Sequence, residues 1–127
     1  MMIYIAPIAA AIALVVAFCL SSWISKADEG NDRMKEISGY IREGAMAFLK
    51  REYKSMAIVI VVLFVLIGLG LKSWTTAILY VIGALLSVLA GYFGMNVATK
   101  GNVRTAAAAM DFGMPKALKI AFRSGAV

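Results

Sequence analysis

The chain contains no histidine and a single cysteine, Cys19. One thiol cannot build a disulfide framework, and without histidine the usual zinc ligand sets are out of reach. Charge is scarce too, at 16% of residues against about 25% in an ordinary soluble domain. It is missing altogether from three stretches: about Met2–Ser25, Ser55–Leu71 and Ser73–Thr99. A helix needs roughly 20 apolar residues to cross the hydrocarbon core of a bilayer, so each stretch spans it or nearly so. Hydrophobic residues make up 62% of the chain. That composition excludes a soluble domain of this size.

The net charge of +6 is a matter of topology rather than of nucleic acid. Twelve of the thirteen Lys and Arg residues fall on one side of the apolar stretches. Seven lie in 26–54, five in 100–123, and Lys72 stands alone between the second and third stretches. Cytoplasmic loops carry the excess of Lys and Arg, so 26–54 and 100–123 are expected in the cytoplasm, with the N-terminus and Lys72 outside. The basic residues sit beside hydrophobic ends, where they meet anionic headgroups. No soluble domain is left to bind nucleic acid. The first stretch lacks a basic leader and is longer than a secretory signal, so a retained span is expected.

Between the first two spans, Asn31 or Asp32 is suited to cap a helix. Met34, Ile37, Ile41, Ala45, Phe48 and Leu49 then recur at helical spacing. This predicts an amphipathic cytoplasmic helix running straight into the second span. Its six acids nearly balance its seven bases, unlike a helix built to lie on anionic lipid. Within the spans, Ala9, Ala13, Ala17 and Ser21 repeat every four residues, as do Gly83, Ser87 and Gly91, and Ala90, Gly94 and Ala98. Rows of this kind let helix backbones approach closely in a membrane. After the third span, Gly101 is expected to stop the helix, Asn102 to cap a short helix over 103–110, and Gly113 to end it. Pro115 suits the first turn of another. Lys116, Lys119 and Arg123 share one face of that segment, which reads as the cytoplasmic entrance of a fourth span.

No pattern of catalytic chemistry is present. There is no paired-carboxylate motif, no nucleophile–base set, no metal-ligand cluster and no phosphate-binding Gly-rich loop. No catalytic, cofactor or metal residue is therefore assigned. Asp28, Glu29, Asp32, Glu36, Glu43 and Glu52 alternate with their counter-charges and read as a solvated or salt-bridged face. Lys100 and Arg104 could attract an anion beside a helix N-terminus, although topology alone accounts for basic residues there. On these grounds two readings stay open, a non-catalytic membrane accessory or structural subunit and a small multi-pass transporter. A self-contained proton-coupled transporter would need an acidic residue inside a span, and the three spans have none.

Three passages of wording add to this. Glu29-Gly30-Asn31-Asp32-Arg33-Met34-Lys35-Glu36-Ile37 leads to Ile41-Arg42-Glu43-Gly44-Ala45-Met46-Ala47-Phe48-Leu49-Lys50-Arg51-Glu52-Tyr53-Lys54. Then come Ala98-Thr99-Lys100-Gly101-Asn102-Val103-Arg104-Thr105-Ala106 and Ala121-Phe122-Arg123-Ser124-Gly125-Ala126-Val127. In this order they resemble the N-terminal region of the membrane-bound inorganic pyrophosphatases, which hydrolyse pyrophosphate to move protons or sodium ions. The resemblance implies an all-α multi-pass membrane protein. Three complete spans (about 2–25, 55–71 and 73–99) and the start of a fourth near 115 would make 1–127 the N-terminal region of a larger homodimeric enzyme in the cell membrane. It implies pyrophosphate as substrate, Mg2+ as cofactor, K+ in one subfamily, and the remaining transmembrane helices and lipid as partners. The family's Asp-rich motifs have no counterpart here, so the chain alone is expected to be inactive and to contribute outer-layer scaffold.

The expected topology is checked by single cysteines at Asn31 and Ser73 in a background lacking Cys19, probed on intact cells with an impermeant thiol reagent. Position 73 should label and position 31 should not.

Overall fold

The computed structural model describes residues 4–127. Met2, where the first span was expected to begin, lies outside them. Four helices follow one another: α1 (Ile5–Ser25), α2 (Asp32–Gly70), α3 (Trp74–Phe112) and α4 (Met114–Gly125). Among the described residues there is no strand. The first three helices are each long and apolar enough to cross a membrane. Most of their large apolar side chains are exposed, as suits helices whose surroundings are lipid or other helices.

The chain divides into two compact units. Glu43–Met95 is a hairpin made of the membrane part of α2 and the first part of α3. It turns at Leu71–Ser73, where Lys72 takes a positive φ of 49°. The Ser73 hydroxyl caps α3 by accepting from the Thr76 amide at 3.4 Å and pairs with the Thr76 hydroxyl at 2.8 Å. Trp74 closes the turn end. Its ring lies 5.9 Å from that of Phe64 and occupies the space a side chain at Gly68 would need. At the other end the Tyr53 hydroxyl donates to the Val88 carbonyl at 3.1 Å. This partly buried hydrogen bond ties the two helices together.

Residues up to Arg42 and from Asn96 onward form the other unit. Asn31 is the cap: its Oδ1 accepts from the Met34 amide at 2.9 Å. Asp32 then lies in the first turn, where the helix dipole favours a negative charge. Met34, Ile37 and Ile41 turn towards Val103 and Ala106 of α3 across an apolar groove. At the end of α1, Ile24 is fully buried. Ala27 packs against a small core of Ala108, Ala117 and Ile120 drawn from α3 and α4. Arg123 of α4 stacks on the Trp23 ring at 4.1 Å.

Several expectations hold. The amphipathic helix does run unbroken into the second span. Gly113, with φ 77°, separates α3 from α4, and Pro115 stands in the first turn of α4. Two expectations fail. Gly101 does not stop α3, which continues to Phe112, so there is no separate helix capped by Asn102. A Cβ at Gly101 would lie 2.5 and 2.6 Å from Oγ and Cβ of Ser124, so this glycine is a point of close approach between α3 and α4 rather than a terminator. Phe48 does not belong to the covered stripe. It is 58% exposed, while Leu49 beside it is 5% exposed. The covered line runs on from Leu49 through Tyr53, Met56 and Ile60 at steps of three and four, which turns Phe48 outward.

Alanine is favoured over glycine inside a helix by about 1 kcal/mol. Gly101→Ala should nevertheless destabilise, by about 1–3 kcal/mol, because α4 must shift to admit the methyl group. Gly39→Ala, with nothing within 4 Å of the new Cβ, should be neutral or stabilising. Thermal unfolding in detergent distinguishes the two.

Candidate functional site around Arg104

The strongest polar arrangement in the chain is centred on Arg104, which is 6% exposed on an alanine-rich part of α3. Alanines at 106, 107 and 108 let other backbone come close, and the guanidinium reaches across to it. Nε donates to the Ala27 carbonyl at 3.0 Å, and Nη1 to the Lys100 carbonyl at 2.9 Å. Nη2 donates to the Ser25 carbonyl at 3.3 Å and to Oε1 of Glu29 at 2.6 Å. Ser25 is the last residue of α1, where carbonyls lack helical partners and carry the negative end of the helix dipole. A planar fork of five donors suits such a set, and a lysine could not replace it.

This changes the reading of the Lys100–Thr105 passage. Arg104 is taken up by four acceptors within the protein and is not free to attract an anion. Sequence reasoning missed its role. The available signal was the single arginine just before the run of alanines at 106–109, a pattern that invites other backbone against the helix. Lys100 lies beside it and, with Lys35 and Arg42, lines a groove to which Glu29 and Arg104 also contribute.

The acids are dispersed, as their alternation with bases implied. Asp28 Oδ1 accepts from the Gly30 amide at 2.9 Å and shapes the link between α1 and α2. Glu29 holds Arg104. Asp32 pairs with Lys35 at 3.6 Å, and Glu36 with Arg33 at 2.7 Å. Glu43 and Glu52 stand exposed. Among the described residues no three acids, cysteines or histidines are grouped to hold a metal ion. The polar contacts that are present fix backbone: the link between α1 and α2 is held by Arg104 and shaped by Asp28.

Arg104→Gln should destabilise by about 2–3 kcal/mol, since it leaves buried carbonyls without their charged donor. Glu29→Gln should cost less than about 1 kcal/mol, because Glu29 is nearly half exposed and water screens the pair. Denaturation in detergent, read by circular dichroism, checks the ratio.

Comparison with known proteins identifies the family. Residues 11–127 match the profile of the family described as inorganic H+ pyrophosphatase. A Clostridium tetani protein named "Putative K(+)-stimulated pyrophosphate-energized sodium pump" is 55% identical over 120 residues, covering 94% of this chain and 18% of the relative. A Methanosarcina mazei protein named "K(+)-insensitive pyrophosphate-energized proton pump" is 46% identical over 127 residues, or 99% of this chain and 19% of the relative. A Thermotoga maritima "K(+)-stimulated pyrophosphate-energized sodium pump" is 43% identical over 100 residues, or 78% of this chain and 14% of the relative. The chain thus spans less than a fifth of the length of these relatives, and its match falls on the N-terminal part of the family. With nearly the whole chain matched and three helices able to cross a membrane, the chain belongs to the inorganic H+ pyrophosphatase family of membrane pumps.

Proposed function

We propose that this chain forms the N-terminal, outer-layer scaffold of a pump that hydrolyses inorganic pyrophosphate and moves H+ or Na+ across the cell membrane. The observation that carries the reading is the family match over residues 11–127. It fits a chain whose polar groups clamp backbone and whose spans carry no charge. A free-standing accessory subunit would need none of the wording shared with the pumps, and a small transporter would need a charge within a span.

The pump's Mg2+ finds no fitting donor set here, because the acids are dispersed and four of them hold partners within the chain. Mg2+ binding and the catalytic binding of pyrophosphate are accordingly assigned to helices beyond these residues. K+ enters as an activator because two of the relatives are named as K+-stimulated. The charge bias favours 26–54 and 100–123 in the cytoplasm with the N-terminus outside. A homodimer, and a fourth span beginning near 115, follow from the family resemblance.

The small-residue rows fit contacts with the remaining helices. α3 faces α2 through Ala77, Val81, Ala84 and Val88, whereas Gly83 and Gly94 have nothing within 4 Å of where a Cβ would stand. Gly91 meets only the Tyr53 hydroxyl, at 3.8 Å. Gly83 on one row and Gly94 on the other are therefore open for further helices of the pump.

The test uses the full-length protein that carries this segment, in inverted vesicles. Pyrophosphate should be hydrolysed only with Mg2+, with uptake of H+ or Na+ into the vesicle. Hydrolysis without ion uptake would reject the pump. The 127-residue chain alone should release no phosphate above a lipid-only control. In the full-length protein Gly91→Leu should cost about 1–3 kcal/mol of thermal stability, and the volume-conserving Leu89→Ile less than about 1.5 kcal/mol.

A further inference from the structure

A second polar feature lies next to the Arg104 clamp. Lys35, Ser38, Gly39 and Arg42 follow one another at helical steps of three, one and three, so they share one face of α2. That face and Lys100 of α3 line a cavity of about 190 Å3 within the unit that holds Arg104. The cavity has the liquid volume of about six water molecules. Its charges are unbalanced. Glu29 is the one acid on its wall, and Arg104 already neutralises it. Lys35 keeps a long, exposed pairing with Asp32 at 3.6 Å. Arg42 and Lys100 have no ion-pair partner among the described residues. Gly39 leaves the floor open, with nothing within 4 Å of where a Cβ would project. The Ser38 hydroxyl adds a neutral donor to the wall.

We propose that this groove binds a small soluble phosphate-type anion, such as inorganic phosphate or pyrophosphate, at a site separate from the catalytic centre. An arginine, two lysines and a hydroxyl around a space of this size supply the charge and the donors that phosphate oxygens accept. The anion comes from solution rather than from a lipid headgroup on grounds of length. A helix rises 1.5 Å per residue, so the roughly 30 Å hydrocarbon core uses about 20 residues of α3. Counted from Trp74, that core ends near Phe93, which leaves Lys100 about 10 Å beyond it. On α2 the side chains of Lys35 and Arg42 lean towards its N-terminus, away from the second span. By this count the groove stands clear of the hydrocarbon core, on its solution side. That it faces the cytoplasm rests on the orientation proposed above; that it binds the anion does not.

The test uses the purified full-length protein that carries this segment, without Mg2+, so that the catalytic centre has no metal to hold pyrophosphate. Pyrophosphate and inorganic phosphate are titrated by calorimetry in detergent, and again in nanodiscs of phosphatidylcholine or of phosphatidylglycerol. Saturable pyrophosphate binding should appear in all three and weaken with added salt. The variant carrying Arg42→Gln and Lys100→Gln should lose affinity at least tenfold with unchanged helical content. The charge-keeping pair Arg42→Lys and Lys100→Arg should stay within about threefold of wild type. Binding unaffected by the glutamine pair would overturn the proposal, as would absence of saturable binding. Pyrophosphate binding abolished by phosphatidylglycerol nanodiscs alone would assign the groove to lipid and overturn the soluble source. Because the readout is binding without Mg2+, its failure leaves pyrophosphate hydrolysis by the full-length pump untouched, and the reverse also holds.

Discussion

The buried guanidinium of Arg104 is the interaction on which its unit depends. Without it, the end of α1 and the link to α2 would face α3 with carbonyls that no backbone amide satisfies. An unsatisfied buried carbonyl costs about 1–3 kcal/mol, and this site gathers two of them, at Ser25 and Ala27, beside the Glu29 carboxylate and the helical carbonyl of Lys100. The guanidinium meets all four at once. The alanines around it are equally necessary, since a larger side chain at 107 or 108 would hold the link away and put its carbonyls beyond reach. Ala107 also stands 3.1 Å from where a Cβ at Gly30 would project, so glycine at that positive-φ turn answers both conformation and space.

The hairpin of α2 and α3 is held by different means. Its helices carry apolar side chains on all sides, and in lipid these do not distinguish one neighbour from another. Specificity falls to a few particular fits: the Trp74 ring over Gly68, the Tyr53 hydroxyl on Val88, and the cap at Ser73. Outside the membrane the charges are arranged to solvate one face and to clamp another. The same sequence thus solves two solvation problems with two sets of residues.

Much of this was legible in the residues alone. The spans, the helix running into the second of them, the break at Gly113 and the dispersal of the acids all follow from local rules of charge, period and capping. What was illegible depended on contacts distant in sequence. Gly101 has the local character of a helix end, and only Ser124 against it explains why the helix continues. Phe48 and Leu49 are equally apolar, and only the line of contacts onward to Tyr53 and Met56 decides which turns inward. Arg104 has the local character of a topological charge. Its partners lie 75 to 79 residues earlier, where no pattern within a helix could indicate them.

That separation has a consequence for biosynthesis. The link at 26–31 leaves the ribosome well before Arg104 exists. At 5–20 residues per second the interval between them is roughly 4–15 s. Throughout it, Ser25, Ala27 and Glu29 have no arginine to meet, and the second and third spans must be made before it arrives. The N-terminal span therefore enters the bilayer on its own hydrophobicity and flanking charges and is fastened afterwards. Arg104 acts as a late latch that closes on a topology already chosen.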